Sequence, residues 1–321
     1  MRTIHTATFL IALAGSSPSD SDAQRIESYF GSCDASAGIS LSGDIFVVGN
    51  DENNTLHFYR RGQPAPIGTL PLSTFLGTGS DEADIEGAAR IGSRIYWISS
   101  HSRNSKGKRQ PSRHRIFATE IRGGPSPGVE PVGNPYVDLL RDLSDAKALK
   151  PYRLAIAAGL AAEAPGGLNI EGLAATPEDG LLIGFRNPLR DGRALVVPLH
   201  NPAGIIEGER ARVGAPIELD LGSRGIRSIE LVGSAYLIVA GPTADSGTFA
   251  LYRWSGTTED APTPVTNLAL GSVRAEALFA IPQSPEVRLL SDDGGMRVAG
   301  TACKDLGMSR QSFRSLTETL Q

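Results

Sequence analysis

The sequence predicts an all-β chain closed into a single β-propeller of five blades, with six as the alternative count. Three observations carry this. A short motif recurs along the chain, and each copy is followed by runs rich in β-branched and aromatic residues. Gly 37 and Pro 21 in 321 residues also exceed the roughly 7% and 5% of average usage and so demand many turns. The motif is clearest as Asp84-Ile-Glu-Gly and Asn169-Ile-Glu-Gly, with weaker echoes at Cys33-Asp-Ala-Ser-Ala, Arg227-Ser-Ile-Glu and Arg274-Ala-Glu-Ala. A repeated opening of this kind marks one structural unit per copy.

Taken in order, each opening supplies an inner strand, and a second strand follows at 44–48, 94–99, 181–185, 235–240 and 286–290. Third strands return at 55–60, 115–121, 194–199, 249–254 and 295–300, and Pro-led runs at 66–72, 216–221 and 264–270 complete four-stranded units. The openings at 34, 86, 171, 230 and 276 lie close to the roughly 40–50 residues of a propeller blade, with one longer gap. That gap predicts a helical insertion over 137–164: Leu139, Leu140, Leu143 and Leu149 recur at helical spacing, Pro151 interrupts, and an Ala-rich stretch stops at Pro165-Gly-Gly. The fifth unit lacks an outer strand, and an open edge invites association. Residues 25–30 are strand-like and close the ring from the N-terminus. The propeller is therefore expected over 24–303, with 304–321 as a C-terminal tail.

Residues 1–23 combine Arg2, an apolar run from Ala7 to Gly15 and the small-x-small sequence Ser21-Asp22-Ala23. They read either as a signal peptide, making the protein periplasmic or secreted, or as an extension of a cytoplasmic one. With 295–300 as a strand, Cys33 and Cys303 fall at opposite ends of adjacent antiparallel strands, roughly 20 Å apart at about 3.3 Å per residue. A disulfide needs roughly 4.4–6.8 Å between Cα atoms, so none is expected. Cys33 then reads as a buried structural thiol or, beside Asp34, as a reactive one.

Lys and Arg number 31 and Asp and Glu 35, a net charge of −4 without a run of one sign. Nothing in that balance asks for nucleic acid, and no apolar stretch reaches the roughly 20 residues of a membrane helix. A phosphate loop and a dinucleotide fingerprint are both missing from the sequence.

In a propeller blade the start of the inner strand and the end of the second strand share one face. That rule gathers Asp34, Glu86, Glu171, Glu230 and Glu276 at the channel mouth. Like charges in a partly desolvated site raise one another's pKa, and a cation relieves them. Oxygen donors suit Ca²⁺ first, with Mg²⁺ or Mn²⁺ as alternatives. Glu86, Glu171, Glu230 and Glu276 are the expected ligands. The loops add Asp51, Glu52, Asn104, Asn187, Asp245 and Asp292, which with Asp34 would contact a substrate.

His101 and Arg186 occupy matching places fifteen residues after Glu86 and Glu171. His101 would act as general acid or base, and Arg103 and Arg186 would hold an anion. Each has a plainer reading, His101 as a turn residue and Arg186 as a partner of a mouth acid. The acids likewise can simply staple neighbouring blades. The basic loop Ser105–His114 would steer an anionic substrate or be a solvated loop, and the insertion would be a lid or a cover.

Cys33-Asp-Ala-Ser-Ala, Asn50-Asp-Glu-Asn-Asn, Asp84-Ile-Glu-Gly, Ser99-Ser-His-Ser-Arg-Asn, Ile170-Glu-Gly and Gly225-Ile-Arg-Ser-Ile-Glu resemble the bacterial domain-of-unknown-function family 3616 over roughly residues 30–300. The resemblance implies a propeller similar to the phytase-like esterase propellers and assigns no activity. The expected function is a divalent-metal-dependent hydrolase of a small anionic ester, a phosphate ester or a lactone. The alternatives are a non-catalytic propeller that binds a ligand or a protein loop, and acids that are purely structural.

Overall fold

The computed structural model describes residues 25–124, 128–244, 246–266, 268 and 270–320. The segment 1–23 and the candidate Asp245 lie outside these residues. The chain begins with β1 (Arg25–Phe30) and then lays down five four-stranded antiparallel sheets. Blade one is β2 (Ala37–Ser40), β3 (Ile45–Gly49), β4 (Thr55–Arg60) and β5 (Gln63–Pro71), followed by the single turn α1 (Ser73–Leu76). Blade two is β6 (Ile85–Ile91), β7 (Arg94–Ser99), β8 (Ile116–Arg122) and β9 (Gly128–Tyr136).

The helical insertion follows, as α2 (Leu139–Asp145), a 3₁₀ stretch over Lys147–Tyr152 and α3 (Leu154–Ala157). Blade three is β10 (Asn169–Ala175), β11 (Leu181–Asn187), β12 (Ala194–Leu199) and β13 (Ile217–Leu219), with α4 (Pro202–Ile206) between the last two. Blade four is β14 (Gly225–Val232), β15 (Ala235–Gly241), β16 (Ala250–Trp254) and the two-residue β17 (Thr263–Pro264). The last unit holds β18 (Ala275–Ala280) and β19 (Glu286–Ser291), a small hairpin of β20 (Arg297–Val298) and β21 (Thr301–Ala302), and then β22 (Ser312–Thr319).

These arrangements follow from where each strand can hide its side chains. β11 and β15 are buried along their whole length, because both faces pack against neighbouring blades, and they read as near-continuous apolar runs. β5, at a blade's outer edge, is mostly exposed and carries Pro64, Pro66 and Pro71, residues an edge strand tolerates. The inner strands touch in a ring, β2 to β6, β6 to β10, β10 to β14, β14 to β18 and β18 back to β2. Five blades therefore close the circle, and the long gap holds helices and not a sixth sheet among the described residues.

Closure runs as expected through the N-terminus. β1 pairs with β22 from Arg25↔Thr317 to Phe30↔Ser312, and β22 pairs with β19. Tyr29 is buried in the seam against Phe46, Tyr59 and Phe313 at centroid distances of 5.1, 5.3 and 5.6 Å.

The same sheet corrects two expectations. The third strand of blade five is β22, not 295–300, so residues 312–319 belong to the propeller and are not a tail. With 295–300 turned into the β20–β21 hairpin, Cys303 sits on the connection at the rim where Cys33 also lies. The two form a disulfide with Cα atoms 5.8 Å apart. The separation expected from the sequence was too long because it placed a strand between them.

Candidate metal centre at the channel mouth

The inner strands of blades two to five each carry a register shift at the same place: between Ile85 and Gly87, Ile170 and Gly172, Ile226 and Ser228, and Ala275 and Ala277. A bulge adds one residue to a strand and re-aims its side chain. Here the extra residues are Glu86, Glu171, Arg227 and Glu276. The residue after each is small because the strands converge. A Cβ on Gly172 would stand 2.7 Å from Ile226 Cγ2, and one on Gly87 would stand 3.1 Å from the Glu171 carbonyl.

Blade four thus contributes Arg227, not Glu230. Glu230 lies three residues on, towards the opposite end of the channel, where it lines a cavity of about 270 Å³ with Ile39, Ser40, Arg90 and Ala280. It accepts the Ala280 N–H at 3.4 Å, and burial pushes its carboxyl up to about 8.

The bulged residues make one side of the mouth self-neutralising. Arg227, 3% exposed, pairs through Nε with Glu171 Oε2 at 2.9 Å and through Nη2 with Glu276. Arg186 binds Glu171 Oε1 at 3.0 Å and Glu163 at 3.3 Å, and donates to the carbonyls of Pro242 and Ala244. Two of the four expected ligands therefore already have guanidinium partners.

The other side gathers acids with few cations. Backbone stitches between blades place them: Ile85 N–H donates to Asn50 O at 3.3 Å and Asp293 N–H to Cys33 O at 3.0 Å. Buried Asn50 accepts the N–H groups of Glu52 and Asn53 at 3.1 and 2.8 Å, and this turn presents Asp51 and Glu52 to the mouth. The carboxylate oxygens of Asp51, Asp84 and Glu86 converge within 4.8 Å of one another, and so do those of Asp34, Asp51 and Glu52. Asp84, at φ 59°, accepts from Ser100 and from Arg113 Nη1 at 2.8 Å. Asp51 Oδ1 and Asp34 Oδ2 are buried with no hydrogen-bond partner.

The electrostatics follow from burial and crowding. Burial lifts Glu86 well above the carboxylate range, with Glu171, Asp84 and Asp51 adding to it and Arg227 opposing. Asp51 is raised by burial and then by Asp84 and Asp292. Asp84 reaches about 6, burial outweighing Arg113 and Ser100. Asp34 goes up to about 10, from burial first and then from the crowding of the Asp292, Asp51 and Glu52 carboxyls. Asp292 itself is held low: burial opposes its charge, but the Asp34 contact and the Gly294 N–H at 2.9 Å prevail.

The remaining candidates hold the scaffold. Buried His101, at φ 55°, has Nδ1 at 2.7 Å from the Ser99 carbonyl. A carbonyl only accepts, so Nδ1 carries the proton and Nε2 is a buried acceptor without a partner. Burial, then His114, lowers its pKa to about 3. Arg103 donates to the carbonyls of Ala158 and Gly107, both at 2.9 Å, and Asn187 donates to Ala162 and Ala164. Together they fasten the insertion onto the mouth face. Asn104 Oδ1 accepts Lys106 and Lys108 N–H groups and shapes the basic loop.

Sequence reasoning missed Asp84, Arg113 and Arg227 as parts of the site. Aligning on the small residue after the bulge, Gly87, Gly172, Ser228 and Ala277, would have found Arg227.

No curated protein sequence matches this chain. Among solved structures it is similar to glutaminyl cyclase of Myxococcus xanthus, with 12% identity, 93% of this chain and 97% of that one covered, and a TM-score of 0.44. A putative glucose dehydrogenase-type oxidoreductase of Thermus thermophilus gives 12% identity, coverage of 92% and 100%, and a TM-score of 0.48. The PQQ-bound aldose sugar dehydrogenase of Streptomyces coelicolor gives 12%, 92% and 99%, and 0.44. Residues 136–286 match the model of the family described as protein of unknown function (DUF3616), which supports the family resemblance read from the motifs.

Proposed function

We propose that the channel mouth holds a divalent cation on Asp51, Asp84 and Glu86 and that the propeller is a phytase-like, metal-dependent hydrolase of a small anionic ester. The observation that carries this reading is the convergence of those three carboxylates within 4.8 Å with a buried, unpartnered Asp51 oxygen among them. Hard oxygen donors favour Ca²⁺, then Mg²⁺ or Mn²⁺. Such an ion polarises an ester oxygen and lowers the pKa of water beside it.

The chain's own groups divide the other tasks. Arg227 and Arg186 keep Glu171 and Glu276 paired and so out of the ligand set. Arg113 orients Asp84. His101, neutral and with Nε2 unprotonated, is suited to accept a hydrogen bond and not to supply a proton. The exposed Lys106, Lys108 and Arg109 would steer an anion to the mouth. A second reading, a binding propeller with a structural ion, draws support from the internal commitments of Arg103, Arg113 and Arg186, which leave them no free fork for an anion.

Thermal melting tests the ion. Added after EDTA, Ca²⁺, Mg²⁺ or Mn²⁺ should raise the melting temperature, by about 2.7 kcal/mol of stability at a hundred times Kd, and Asp51→Asn should abolish the rise. No shift with any of the three sinks the reading. Ion-dependent cleavage of chromogenic phosphate esters or lactones, lost in Asp51→Asn, separates the hydrolase from the binding propeller.

A further inference from the structure

Asp51 takes part in two carboxylate groups, one with Asp84 and Glu86 and one with Asp34 and Glu52. We propose that the mouth is a two-cation centre in which Asp51 bridges an inner ion, held with Asp84 and Glu86, and an outer ion, held with Asp34 and Glu52. This rests on the single-ion reading above and extends it. A carboxylate with two oxygens can serve two ions about 3.5–4 Å apart, the spacing of two-metal hydrolytic sites.

The outer group has an observation of its own that points to a ligand. Asp34 is 3% exposed, and its Oδ2 has no hydrogen-bond partner. Its carboxylate is directed there by the fold. A Cβ on Gly294 would stand 2.0 Å from Asp34 Oδ1, so only glycine leaves that carboxylate its place. Ser32 Oγ donates to the Asp34 carbonyl at 2.9 Å, and the neighbouring Cys33 is covalently tied to Cys303.

The charge balance agrees. Among the described residues, the cations paired with Asp34, Asp51, Glu52 and Asp292 are Lys304, 3.4 Å from Glu52, and Arg274, 3.8 Å from Asp292. The Lys304–Glu52 pair is half open to solvent, with side chains 51% and 41% exposed, and pairs of that kind are weak. A divalent ion can therefore displace the ammonium from Glu52. Lys304 acts as a tethered counter-charge that leaves when the outer ion arrives.

Mn²⁺ and Ca²⁺ binding to the intact, disulfide-bonded protein decides the matter. Calorimetric titration with Ca²⁺ should count two ions per chain, and the electron paramagnetic resonance spectrum of the Mn²⁺-loaded protein should be that of an exchange-coupled pair. Asp34→Asn should bind one ion and give the six-line spectrum of an isolated Mn²⁺. Glu86→Gln should likewise retain one, and Asp51→Asn should weaken both by at least about tenfold, the low end of what even an outer partner of a metal ligand costs. One ion with a six-line spectrum in the wild type, unaltered by Asp34→Asn, removes the outer site and leaves the single-ion reading standing. No binding at all removes both. Because the wild-type spectrum already separates these outcomes, a variant that fails to fold does not blunt the test.

Discussion

Arg227 is the cation against which one wall of the channel is built. Its guanidinium is buried between Glu171 and Glu276, with the Phe249 ring 5.6 Å from it. Removing one partner of a buried ion pair strands the other, a loss of roughly 3–5 kcal/mol, and here two carboxylates would be stranded. Arg227→Met, which keeps the aliphatic stem, should therefore lower the unfolding free energy by that amount, read in urea as a lower midpoint at an unchanged slope. A loss under about 1 kcal/mol would show that the acids are neutralised by something else. The residue also marks where the sequence could be read and where it could not. Glu86, Glu171 and Glu276 were legible as mouth residues because their motif repeats. In blade four the eye is caught by Ile229-Glu230, whereas the bulge falls at Ile226-Arg227, where strand convergence demands the small Ser228. Periodicity locates a strand, but it does not locate an inserted residue that shifts every later side chain to the other face.

At the scale of elements, five inner strands and the closing role of β1 were legible because a ring must supply an inner strand from each unit and cover its last edge. β22 was not. Ser312-Phe-Arg-Ser-Leu-Thr-Glu-Thr shows few apolar residues and reads as a polar tail, while Met296-Arg-Val-Ala has the composition of a strand but closes only a two-residue hairpin. That exchange hid the disulfide. Cys33 and Cys303 are 270 residues apart in sequence, and it is the unfolded chain, with β1 and β22 no longer paired, that the bond constrains. Closing so long a loop corresponds to about 5 kcal/mol in the chain-entropy account, the top of the usual range. Cys303→Ser should lower stability by about that much in chemical denaturation under oxidising conditions, and a reductant should then have no further effect. Equal stability of the variant and the wild type would mean the bond adds nothing to the closed ring.

Across the whole molecule, the raised carboxyls give the cation-free protein an unusual pH dependence. Asp34 stands at about 10, Glu230 at about 8 and Asp84 at about 6, and Asp51 and Glu86 are raised with them. Unfolded carboxyls titrate near roughly 4. Between that value and the folded ones the native chain binds more protons than the unfolded chain, so stability falls as pH rises. Carboxyls held low act in the opposite sense, such as Glu286 by Arg61 and Asp142, despite its burial, by Tyr136 and Arg210. Their stabilisation is lost only as pH drops below the usual carboxylate range. In EDTA the melting temperature should therefore peak near pH ~5 and decline through pH 8–9. Saturating Ca²⁺ competes with protons for the mouth carboxylates, so its increment should be larger at pH 8 than at pH 5. Glu230 is remote from the ion, and its share should be indifferent to it: Glu230→Gln should raise the melting temperature at pH 8.5 with or without Ca²⁺, and have little effect near pH 4.5. A melting temperature that climbs from pH 5 to pH 8 in EDTA would show the mouth acids to be charged and paired in the free protein, and the electrostatic case for an ion would go with it.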